Sequence, residues 1–228
     1  MKILRVLLVL AIIFTTLSFT KNDPNEKSTK KTIPTKKFSF AAWGDIGNKE
    51  SIEEQKKRIK RLTDAGLTDL LPSAGVERLK ELIKLGDEFG LKIHAWHWMM
   101  NVGGSKECQE HPEWFSVNRL GQNCKDFHPY VGYYKFLSPF APGARAYIKR
   151  GVREKAQIKG LASVHFDYIR YVDVILGANL QKKYKHEGGE LVQDKILPEY
   201  DFGYHPLARK EFKEKFGIDP LEMDDTAE

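Results

Sequence analysis

The run His165-Phe166-Asp167-Tyr168-Ile169-Arg170-Tyr171 gathers an imidazole, a carboxylate, a guanidinium and two phenols within seven residues. Read as the end of a strand spanning 161–169, it places side chains on alternate faces. Val164, Phe166 and Tyr168 then share an apolar face, and Ser163, His165 and Asp167 share the other. Such a polar face is costly to bury unless it lines a cavity or is fully hydrogen-bonded. A strand at 91–99 repeats the pattern. Ile93 and Ala95 suit an apolar side, whereas His94, Trp96 and Trp98 point the other way. A first strand at 38–43 ends with Trp43 and Asp45 on a common face.

Together these ends describe a cleft mouth carrying Asp45, His94, Trp96, Trp98, His165 and Asp167. Indole faces stack on the C–H patches of a pyranose, and carboxylates accept from its hydroxyls. Glycosidic cleavage needs two carboxyl groups, one as acid and one as nucleophile or base. Asp167 is the preferred member of such a pair, with His165 and Arg170 beside it. Arg170 could keep that carboxylate ionised or bind substrate oxygens. Trp43, Tyr168 and Tyr171 join the substrate-binding set. Plainer roles exist for each: an Asp167–Arg170 ion pair, a hydrogen-bonded barrel histidine at 165, core indoles at 96 and 98, and a helix cap at Asp45. A metal site from His94, His97, His165 and Asp167 is disfavoured, because residues three apart on a strand point to opposite faces. No metal or cofactor is expected.

The elements that must position these groups alternate between strand and helix. Ser51 and Glu54 form a capping box, followed by Ile52, Ile59 and Leu62 on one helical face and Gly66 at the end. A strand at 68–71 stops at Pro72. A helix over 76–89 carries Val76, Leu79, Leu82, Ile83 and Phe89, and Gly90 ends it. After a long aromatic loop at 100–137, a helix begins near Pro142 and stops before Gly160. A last helix opens at His205-Pro206, with Gly217 beyond it. The loop either walls a binding site or forms a small core of its own. Alternating strands and amphipathic helices imply parallel βαβ units and an α/β fold. About four units fit the chain, where a full (β/α)8 TIM barrel takes roughly 250 residues. A truncated barrel and a smaller open sheet both satisfy the pattern. No glycine-rich phosphate loop follows the first strand, which argues against a dinucleotide-binding domain.

The flanking sequence bears on location. Lys2 and Arg5 precede an apolar run from Val6 to Phe14, and residues 1–20 read as a secretory signal peptide. Residues 21–37 read as a basic flexible tether, leaving 38–228 as the folded domain. Leader and tether account for the whole formal charge of +6. The folded part is therefore formally neutral, and no basic face asks for a nucleic acid. Membrane contact is expected only through the leader. Cys108 and Cys124 could pair across a loop in an exported chain. Oligomeric state is not set by the sequence.

The run at 165–171 resembles the Asp-Tyr-Ile-Arg-Tyr signature of the glycosyl hydrolase-like family 10 proteins. His111-Pro112-Glu113-Trp114-Phe115, Tyr134-Lys135-Phe136-Leu137-Ser138-Pro139 and the stretch from Phe212 to Pro220 support the likeness. The resemblance implies a TIM-barrel catalytic domain of exported bacterial proteins acting on glycans, cell-wall glycan among them. The family barrel continues through four further strands, where the second catalytic carboxylate is expected. Val172 stands where the family often has Pro.

Overall fold

The computed structural model describes residues 38–186 and 188–223. The leader and tether lie outside the described residues. Four strands form one parallel sheet in the order β1 (Ala41–Trp43), β2 (Asp69–Leu71), β3 (Lys92–Trp98) and β4 (Ser163–Asp167). The crossovers carry α1 (Ile52–Asp64) and α2 (Val76–Asp87), then a long loop containing α3 (Lys106–Gln109), and then α4 (Pro142–Ala156). Beyond β4 come α5 (Ala178–Gln181), a short antiparallel pair β5 (Lys185–His186) and β6 (Gly189–Glu190), and α6 (Pro206–Phe216). Strand order follows chain order, and α1 and α2 pack against the sheet face that carries Leu70, Ile93 and Ala95. A doubly wound sheet would reverse its order at a switch point. The described sheet is thus consistent with part of an α/β barrel.

Local chemistry explains the boundaries. Ser51 accepts from the Glu54 N–H, and the Glu54 carboxylate accepts from the Ser51 N–H, so the capping box forms. Ala65 is the cap residue at the other end, with Gly66 following at φ 93°. Gly217 ends α6 in the left-handed region. Gly86 is required by contact: a Cβ there would sit 2.5 Å from the Leu91 carbonyl oxygen and crowd Ile93.

Two apolar cores result. Ile59, Leu70, Leu79, Leu82, Ile93 and Ala95 join α1 and α2 to the sheet, with Val164 packed against them. Each fully buried Leu or Ile here contributes about 1.5–3 kcal/mol. The second core is aromatic and loop-built. Phe115, Phe136, Leu137, Cys108 and Cys124 pack with Ala144 of α4, Val172 and Phe202. Buried Asn118 ties this region together: its Nδ2 donates to Gln122 Oε1 and the Glu199 carbonyl, and its Oδ1 accepts from the N–H groups of Leu120 and Gln122. The loop at 100–137 therefore builds most of a second core, completed by residues of α4 and of the segment after β4.

Several strands are shorter than their sequence patterns. β4 ends at Asp167 because Tyr168 adopts φ 52°, a conformation costing on the order of 1–3 kcal/mol for a non-glycine residue. Alternation fails there, and the Tyr168 ring joins the second core instead of sharing a face with Val164. Phe166 is 43% exposed, so it is not covered as its apolar face implies. Cys108 and Cys124 are buried free thiols and do not pair. The Cys124 Sγ accepts from the Phe136 N–H at 3.3 Å, and burial pushes its pKa up to about 12.

Candidate active site

The helix-free face of the sheet has two levels. At the carboxyl ends of the strands, β3 and β4 pair Trp96 with His165 and Trp98 with Asp167. The Trp96 Nε1–H donates to Asp167 Oδ2 at 3.0 Å, and the Tyr168 N–H donates to Oδ1 at 2.7 Å. The positive φ of Tyr168 accompanies this second bond, so backbone strain sits beside the carboxylate. Both carboxylate oxygens act as acceptors, which suits a nucleophile or base better than an acid. An aromatic row continues from there. Trp43 lies 6.3 Å from Trp96 and 5.7 Å from His165, while Trp98 lies 6.1 Å from Trp96 and 5.0 Å from Tyr168. Tyr133 extends the row from the long loop, 5.9 Å from Trp98. Trp43 is 64% exposed, so a broad indole surface is open to a ligand.

The lower level is polar and closely bonded. Asp69 Oδ1 lies 2.8 Å from His94 Nε2, and His94 Nδ1 lies 2.7 Å from Ser163 Oγ. The Thr68 hydroxyl donates to Asp69 Oδ2. Burial works to raise the Asp69 pKa, but the bonds from Thr68 and His94 together outweigh it and hold the group below its ordinary value. An ionised carboxylate only accepts. In the neutral imidazole, His94 Nε2–H therefore donates to Asp69, which leaves Nδ1 to accept from Ser163.

The expected mouth is thus divided. Trp96, Trp98, His165, Asp167 and Trp43 come together, whereas His94 belongs to the lower level. Arg170 does not pair with Asp167. Its guanidinium meets Asp173 at 3.1 Å, donates to the Tyr171 carbonyl and lies over the rings of Tyr168 and Phe136. Chain direction explains this, since the turn at Tyr168 carries Arg170 off the strand axis. Tyr171 packs into the second core, apart from the aromatic row, and burial raises its pKa. Asp45 is exposed beyond β1, and Ser51 rather than Asp45 caps α1.

His97 points to the helix side, opposite His94, where its Nδ1 lies 2.9 Å from Lys155 Nζ of α4. A cleft of about 610 Å³ there is lined by His97, Lys155, Arg150, Glu154 and Glu107. Burial first, and the Lys155 charge second, lower the His97 pKa to about 4. Among the described residues, no group of three His, Cys, Asp or Glu is placed to hold a metal, and no helix is long and apolar enough to cross a membrane.

No family model and no curated protein matches the chain. Solved structures give weak likenesses. A hypothetical protein from Ruminiclostridium thermocellum shares 13% identity over 59% of this chain and 78% of its own, with a TM-score of 0.43. A noncanonic maltogenic alpha-amylase from Thermotoga neapolitana shares 14% over 59% of this chain and 40% of its own, at 0.44. The catalytic domain of a beta-amylase from Paenibacillus polymyxa shares 13% over 83% of this chain and 51% of its own, at 0.43. Likeness of this degree assigns neither family nor activity, and the link to glycosyl hydrolase-like family 10 stays one of motifs.

Sequence reasoning missed two participants. Asp69 opens a strand whose other residues are apolar, and a lone acid in such a strand is the available signal. Tyr133 carried none, because its place beside Trp98 depends on how the long loop folds back.

Proposed function

We propose that this chain works on a glycan, as an exported glycoside hydrolase cleaving O-glycosidic bonds in a poly- or oligosaccharide, cell-wall glycan being one candidate. The observation that carries the reading is the Trp96–Asp167 hydrogen bond, which ties an indole of the aromatic row to a strand-end carboxylate. A sugar ring lying on Trp43 and Trp96 would present its glycosidic carbon toward that carboxylate. Asp167 would serve as nucleophile or base, a second carboxyl group from a further strand would protonate the leaving oxygen, and His165 would contact substrate oxygens. A motif likeness to glycosyl hydrolase-like family 10 and the signal-like leader support the same reading.

Reducing-end release from a panel of poly- and oligosaccharides by the full chain tests it. Asp167→Asn should lower turnover on the order of 10³-fold, within the range expected for a lost acid–base or nucleophilic group. Turnover unchanged in that variant removes Asp167 from the chemistry. A second reading, sugar binding without turnover, is favoured by Arg170, which pairs with Asp173 rather than with Asp167. Tryptophan quenching by a glycan that is never cleaved would select that reading.

A further inference from the structure

The lower level of the open face serves no step in the glycan reading, yet its side chains are graded in burial and joined in series. Asp69 is 7% exposed, His94 is half-buried and Ser163 is exposed. An exposed hydroxyl has water for a partner and needs no imidazole to satisfy it. This one nevertheless lies 2.7 Å from His94 Nδ1, while the opposite ring nitrogen is fixed by a buried carboxylate at 2.8 Å. A nucleophile bonded to a base, itself oriented by a third group, is the geometry of an activated serine. The ring is used in the reverse sense from the serine-protease triad, with Nδ1 facing the hydroxyl. Either nitrogen of a neutral imidazole can accept the proton.

A recess of about 440 Å³ opens over the serine. Ala41, Leu71 and Trp43 give it apolar walls, and His165 shares its lining with Ser163. We propose that Asp69, His94 and Ser163 form a second catalytic centre that hydrolyses small O-acyl esters. Ser163 Oγ attacks the ester carbonyl carbon and passes its proton to His94 Nδ1. The resulting oxyanion takes a hydrogen bond from the His165 ring, two residues along the same face of β4. Collapse breaks the acyl C–O bond, and the leaving alkoxide takes the proton from His94. A water then attacks the acyl-serine, gives a proton to His94, and releases the acid as Ser163 regains its proton. Asp69 acts as a positioning residue that fixes the ring tautomer. The apolar walls of the recess suit the acyl portion of such an ester.

The experiment uses the full chain with a fluorophosphonate probe and p-nitrophenyl acetate. Peptide mapping should place the phosphonyl adduct on Ser163, and Ser163→Ala should abolish labelling and lower kcat/KM at least 100-fold. Circular dichroism should show an unchanged fold, as expected for an exposed Ser-to-Ala change. Asp69→Asn should lower kcat with little change in KM and shift the pH–rate profile, which a merely structural role would not do. Ser163→Cys should restore an adduct at position 163 with a thiol-directed ester. No adduct on Ser163 in the folded protein, or equal ester hydrolysis by Ser163→Ala, overturns the proposal. Neither outcome depends on glycan cleavage, so the two readings fail separately.

Discussion

At the carboxyl ends of the strands, Asp167 takes its hydrogen bonds from an indole and a strained backbone N–H; at the opposite level of the same face, Asp69 takes its from a hydroxyl and an imidazole. The first carboxylate sits on an aromatic surface open to solvent. The second is buried within a chain of bonds running Thr68–Asp69–His94–Ser163. One face of one sheet thus presents a carboxylate as part of a wall and another as part of a wire. The difference arises from what β3 offers at each level, Trp96 and Trp98 above and His94 below.

Substitutions should separate the two levels. Asp69→Ala leaves the half-buried His94 N–H without its acceptor and should lower unfolding free energy by about 1–3 kcal/mol in denaturant melts. Asp167→Ala should cost less, since Asp167 is half-buried where Asp69 is buried. Equal losses at both positions would erase the distinction. Trp96→Ala should weaken binding of a soluble oligosaccharide about tenfold, or ~1.4 kcal/mol, read by calorimetry. An unaltered affinity places the sugar elsewhere.

Acid offers a milder probe of a group that belongs to neither level. The folded-state pKa of His97 lies near 4, below its ordinary 6.5. Between those values the unfolded chain binds more protons, so stability falls as pH drops from 6.5 to 4, by at most about 1.4 kcal/mol per unit. His97→Gln should flatten a plot of melting temperature against pH in that window. Asp69 has a lowered pKa, so its contribution is present above its unfolded value and is lost only at lower pH. The smallest effect concerns the loop core. Cys108 and Cys124 are buried with raised pKa values, so a thiol reagent should react with neither until the protein unfolds.

Several helices were legible because each obeys a local rule. The Ser51–Glu54 capping box, the stripe through Leu79, Leu82 and Ile83, and the Pro206 start and Gly217 stop of α6 all formed where their patterns place them. The grouping of Ser163, His165 and Asp167 on one face was legible for the same reason, since period two fixes it. Alternation says nothing of depth, however. It put His94 beside Trp96 and Trp98, whereas its bonds to Asp69 and Ser163 draw it to the lower level. It also runs on past Asp167, where the left-handed Tyr168 breaks it and swings Arg170 to Asp173. The aromatic core had no periodicity to read, because Phe115, Cys124 and Phe136 meet through loop contacts.

The central claim is that a glycan lies on the Trp43–Trp96 surface with Asp167 at its scissile bond. Tryptophan emission and reducing-end release, recorded together on one sample of the full chain, test this most directly. Wild-type protein should show saturable quenching and release with one glycan of the panel. Asp167→Asn should keep the quenching and lose the release. Release at the wild-type rate by Asp167→Asn, or release by wild type with no change in tryptophan emission, would contradict the account.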